Sequence, residues 1–133
     1  MALTGNGASI SISGFTGTVQ TIAGIEHTRE IMDVTPLDAA DFEEFDPAPL
    51  RNPGSVDVVY FYDSDNEAPL SGAAGTVTVT FPLKSGESTA ATLSGTGFLS
   101  RAAITELNNT DKTMGEITVQ WDGKTGPAYT AGS

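Results

Sequence analysis

No cysteine occurs in the 133 residues. Disulfides, thiolate chemistry and cysteine-based metal sites are therefore excluded, and packing and sheet hydrogen bonds must hold the fold. There is one histidine, His27, too few for a histidine-based metal site, and it is expected on an exposed strand. Lysines number three, against 18 threonines and 15 glycines. Threonine-rich, glycine-rich and lysine-poor is a strand-and-turn composition, because branched side chains suit a pleated surface and glycine suits turns. No apolar run reaches the length that spans a bilayer, and the opening Met1-Ala2-Leu3-Thr4-Gly5 lacks the basic and apolar regions of a secretory signal. A chain made and kept in a cytoplasm, with no membrane anchor, is the expectation.

What is abundant is negative charge. The formal net charge is −11 with a pI near 4.1. Residues 1–67 hold 12 acids and two bases, Arg29 and Arg51, whereas residues 68–133 hold five acids and four bases. Such a chain repels nucleic acid and anionic membranes. Either plain solubility or a surface that must not adhere to a polyanion accounts for it.

Periodicity places the strands. Ala8 to Ser13 alternates, with Ala8, Ile10 and Ile12 on one face. Thr16 to Ile25 continues in extended form around Gly17 and Gly24, with a bulge or bend expected. His27 to Thr35 is a strand candidate whose imperfect alternation suggests contacts on both faces. Ser55 to Tyr62 is the most apolar strand, Thr76 to Leu83 alternates cleanly, Ala90 to Ile104 is one long strand or a bent pair, and Glu116 to Asp122 sets Ile117, Val119 and Trp121 against polar neighbours. About seven strands result, spaced as in a β-sandwich or partial barrel. At most one short helix is expected, over Glu67 to Ala74, where Pro69 and Gly72 weaken it. The chain reads as one domain over residues 1–133, with an N-terminal arm at 1–7 and a polar, mobile C-terminal tail at 126–133.

Pro36 to Pro53 stands apart. Four prolines and five acids remove any period of two, so it reads as a long acidic loop. It contains Phe42, Glu43, Glu44, Phe45 and Leu50, the candidate contact residues of the sequence. The aromatic pair either anchors another subunit or tucks onto its own domain.

Catalytic and metal motifs find no support. Glu43 and Glu44 are adjacent and so point apart, with no apolar pocket to tune them. Gly123-Lys124-Thr125 ends like a phosphate-binding loop, but the first glycine would fall at Thr118, inside a strand. Asp63-Ser64-Asp65-Asn66-Glu67 starts like a calcium loop, yet Ala68 and Ala74 stand where glycine and glutamate are required. No catalytic residue, metal or cofactor is assigned.

Several segments together resemble the tail tube proteins, or major tail proteins, of long-tailed phages. They are Gly14-Phe15-Thr16-Gly17-Thr18-Val19 with His27-Thr28-Arg29-Glu30-Ile31-Met32-Asp33-Val34-Thr35, and Leu50-Arg51-Asn52-Pro53-Gly54-Ser55-Val56 running into Asp57-Val58-Val59-Tyr60-Phe61-Tyr62. Thr76-Val77-Thr78-Val79-Thr80-Phe81-Pro82, Gly95-Thr96-Gly97-Phe98-Leu99-Ser100 and Glu116-Ile117-Thr118-Val119-Gln120-Trp121-Asp122-Gly123 continue the likeness. Their order and spacing carry it, over nearly the whole chain; the family's clear helix after the central strand is the departure.

The resemblance implies a tail-tube-like fold and a homo-oligomeric ring, usually of six subunits, stacked into a hollow tube. Strands from each subunit would form one inner barrel, other phage tail proteins would be partners, and double-stranded DNA would pass without specific binding. The chain would reside in the virion tail after assembly in the host cytoplasm. Four strands from each of six subunits, about 4.8 Å apart and tilted about 40°, give a barrel roughly 48 Å across, wide enough for duplex DNA. Phe42, Phe45, Leu50, Glu43 and Glu44 would then be inter-ring or inter-subunit contacts; which acids face the lumen is left open. A tube component of a contractile secretion machine and a soluble ligand-binding β-sandwich are the alternatives.

Overall fold

The computed structural model describes residues 6–15, 18–62, 70, 72–104, 106–107, 109–110 and 112–133. Nine strands make up the fold, with no helix among the described residues: β1 (Ser9–Ile12), β2 (Thr18–Ala23), β3 (Thr28–Asp33), β4 (Phe45–Asn52), β5 (Ser55–Phe61), β6 (Gly75–Thr80), β7 (Thr92–Ile104), β8 (Met114–Trp121) and β9 (Ala128–Thr130). The expected all-β class holds. Two of the nine, β4 and β9, lie in segments read from sequence as a loop and a tail. Most of the expected N-terminal arm, the Asp63–Glu67 run and four of the eight residues of the expected helix lie outside the described residues; Leu70 and Gly72 to Ala74 are not helical.

Seven strands form one antiparallel sheet in the order β1-β6-β7-β8-β5-β2, with β9 added to β7. The two end strands β1 and β2 touch, so the sheet curls into a partial barrel. Alternation explains which side faces in. Along β8 every second residue is buried, and Ile117 and Val119 pair across from Val58 and Val56 of β5. Trp121 from β8, Val77 and Val79 from β6, and Leu93 and Leu99 from β7 complete the interior with Ile12, Phe15 and Tyr60.

Two glycines are forced by close approach. Gly115 pairs opposite Tyr60, and a Cβ there would overlap the Tyr60 ring, 2.6 Å from its hydroxyl oxygen and 2.7 Å from Cε1. The Tyr60 ring is held from its other side by Phe15, edge-on at 5.0 Å between centroids. Gly54 turns β4 into β5 at φ +74°, where a Cβ would collide with the Glu26 carbonyl. Its N–H donates to Asn52 Oδ1 at 2.9 Å, which fixes the turn.

The C-terminal stretch is docked rather than loose. Ala128, Tyr129 and Thr130 pair with Ser94, Leu93 and Thr92. Ser133 then exchanges backbone hydrogen bonds with Thr89. Tyr129 meets Phe81 edge-on at 6.0 Å. Three residues of regular pairing are too few to leave an alternation that a sequence reading detects.

Candidate assembly surface

The two strands outside the barrel form the surface of interest. β3 and β4 pair only with each other, antiparallel, from Thr28 opposite Asn52 to Asp33 opposite Phe45. The acidic loop expected over 36–53 is therefore corrected: the loop closes at Glu44, and Phe45–Asn52 is a strand. Pro47 and Pro49 hide that strand in the sequence, because proline lacks the N–H a central strand needs. β4 tolerates both by being an edge, with a register shift between the Arg29 and Ile31 pairs. Arg29 Nε donates to the Ala48 carbonyl inside that irregular stretch.

Thr35 and Glu44 close the far end of this arm. The Glu44 N–H donates to Thr35 Oγ1 at 2.7 Å, the Val34 N–H donates to the Glu44 carbonyl at 3.0 Å, and the Ala39 N–H donates to the Pro36 carbonyl at 3.1 Å. Hydrogen bonding from Thr35, side chain first and backbone N–H second, holds the Asp33 carboxyl below its ordinary range.

Every residue of β3 is exposed, and so is every residue of β4 except half-buried Ala48. The strand expected to be contacted on both faces is thus bare on both. Ile31 is 68% exposed, Leu37 is fully so, Phe42 is 84% exposed and Leu50 82%. Neither aromatic residue tucks onto its own domain, since Phe45 is also exposed. Phe42, Glu43 and Glu44 sit in the closing loop and Phe45 begins β4 beside them, whereas Leu50 lies toward the opposite end of the ribbon. Sequence reasoning passed over Ile31, Met32, Val34 and Leu37, which are exposed on the same arm. The broken alternation of His27 to Thr35 was their signal, and it meant two open faces rather than two covered ones.

Two cavities flank the arm's root. The larger, about 610 Å³, opens at the barrel mouth and is lined chiefly by Ile22, Ile25, Phe81, Pro82 and Tyr129. The smaller, about 380 Å³, is lined by His27, Pro49, Leu50, Arg51, Pro53 and Pro127 among others. His27 is exposed, as expected, though it precedes β3, and its Nδ1 lies 2.8 Å from the Pro53 carbonyl oxygen.

Compared with protein-family models and with curated proteins, the chain matches none. Its chemistry must be read from its own groups. No cluster of three or more histidine or acidic side chains suited to a metal occurs among the described residues. Of the three strand aromatics whose pattern suggests burial, Trp121 and Tyr60 are buried in the core, whereas Tyr62 is exposed. The arrangement offers cohesion: a partial barrel with its own core, carrying a ribbon with exposed apolar side chains that contributes nothing to that core.

Proposed function

We propose that this chain is a structural, self-assembling subunit of a phage tail tube, closing into rings that stack around a passage for double-stranded DNA. The observation that carries the reading is the bare β3–β4 arm. A two-stranded ribbon alone is marginal in water, and this one carries Ile31, Leu37, Phe42 and Leu50 exposed along its length. Its side chains gain burial only when another surface covers them, and the barrel's own core is already complete. A homo-oligomer provides that surface once per subunit without a dedicated partner. The likeness of the strand segments to tail tube proteins, in order and spacing, supports reading the oligomer as a tube and the virion as its location. The strong negative charge suits a lumen that DNA traverses without adhering.

The test is direct. Negative-stain microscopy and sedimentation of the purified protein at rising concentration are expected to show rings or hollow tubes, and Phe42→Ala with Phe45→Ala to prevent them. A protein that stays monomeric at every concentration, alone and with the remaining tail proteins of its phage, would refute the proposal.

A further inference from the structure

The arm is chemically polarised. Its closing loop and the adjoining start of β4, residues 36–46, carry Asp38, Asp41, Glu43, Glu44 and Asp46 with no basic residue, around the exposed side chains of Leu37 and Phe42. Its root is different. Arg29 and Arg51 pair directly opposite each other, an arrangement of like charges that costs stability unless an anion approaches. Among the described residues the only ion pair is Arg101 with Glu116, so neither root arginine has a carboxylate partner. Glu26 and Glu30 share the root's sequence, and Lys124 and Asp122 offset one another in the adjoining turn, so the root is mixed in charge where the tip is purely acidic.

The root also has the shape to receive something. The 380 Å³ cavity beside it sets Arg51 and His27 among Pro49, Leu50, Pro53 and Pro127. The lining is mixed, with Leu50 and three prolines beside Arg51, Asn52 and His27, and such a hollow suits an acidic segment that carries an aromatic side chain. The tip of the arm is such a segment. It cannot serve its own root, because the paired run from Thr28 to Asp33 holds the loop roughly 17 Å away. The Thr35–Glu44 hydrogen bonds pin it there.

We propose that the root cavity is a socket for the arm tip of a second copy of this chain, with Phe42 entering beside Leu50 and the loop carboxylates facing Arg51. Each copy gives a tip and offers a root, so where the contact is not returned by the same neighbour it is head-to-tail and repeats into a ring or a filament. The inference rests on the self-assembly proposed above and names the surface that receives the arm.

The chain has no cysteine, which makes single-cysteine cross-linking free of background. Asp41→Cys and Pro49→Cys proteins, which keep Phe42 and Leu50 and are each checked for β-sheet circular dichroism, are mixed under mild oxidation. Cross-linked dimer is expected in the mixture well above either protein alone. Adding Arg51→Glu to the Pro49→Cys protein should lower the yield about fivefold, the scale of one exposed ion pair. Raising the salt from about 0.05 to about 0.5 M should lower it likewise. Asp41→Cys cross-linking to itself as readily as in the mixture would overturn the socket in favour of tip-to-tip contact. Absence of any cross-link would overturn it outright. Wild-type tubes without the mixed cross-link would retire the socket and leave the tube reading standing; the mixed cross-link without rings or tubes would do the reverse.

Discussion

Replacing Gly115 with alanine puts a methyl group where the Tyr60 ring already lies. The added carbon would stand 2.7 Å from Cε1 and 2.6 Å from the hydroxyl oxygen, against an ordinary contact of about 3.5–4 Å, so something must yield by roughly 1 Å. The ring has nowhere cheap to go: Tyr60 is 3% exposed and Phe15 abuts it. Overpacking of this kind costs about 1–3 kcal/mol. Against it stands the reduced freedom of the unfolded chain, worth about 0.4–1 kcal/mol in alanine's favour. The net expectation is a loss of about 1–2 kcal/mol, seen as a lower urea midpoint at unchanged slope and a Tm lower by about 5 °C. Tyr60→Leu should lower stability by itself but make Gly115→Ala nearly harmless, a coupling of about 1 kcal/mol or more in a double-mutant cycle. If Gly115→Ala alone proves as stable as wild type, the claim that glycine is there to admit the ring is wrong.

Trp121 is 2% exposed within the core, and Trp121→Ala should cost about 3–5 kcal/mol in the same urea assay. Phe42→Asp should leave monomer stability within about 0.5 kcal/mol, because that side chain touches solvent, while abolishing assembly by sedimentation. Asp122 is held below the ordinary carboxylate range first by the Thr96 hydroxyl at 2.7 Å, with backbone N–H groups of the following turn and Lys124 assisting. Its folded value being lowered, its contribution is present above the ordinary carboxylate pKa and disappears as pH falls through the depressed one. Thr96→Val should therefore move the Asp122 titration upward, read from the carboxyl carbon by NMR.

The barrel was readable from the residues because its strands alternate against one core. Ile117, Val119 and Trp121 in β8, and Val77 and Val79 in β6, lie buried where a period of two puts them. The pattern overreaches at strand ends: Leu83 keeps the alternation but lies beyond β6 and is exposed. The arm was misread for the same physical reason. Alternation reports a boundary between core and water, and a ribbon with water on both sides has none. Proline argues against a central strand but says little about an edge, so Pro47 and Pro49 masked β4. Whether Phe42 and Phe45 face solvent or their own domain was left open, because a segment without periodicity gives no sign of which surface its aromatic residues meet; the structure leaves both exposed. Arg29 facing Arg51 was beyond reach, since it depends on a register that no local pattern encodes.

The arm leaves the barrel and rejoins it at one point. Ala23, the last residue of β2, pairs with Asp57 near the start of β5, and the whole ribbon lies between them. Topologically it is an insertion into a hairpin that would close without it. Changes at its tip, away from the root that meets the turn into β5, are expected to leave the barrel's folding unchanged. Two lineages of such a protein could diverge in which copies recognise each other while keeping one body, as interchangeable keys share a bow and differ only along the blade.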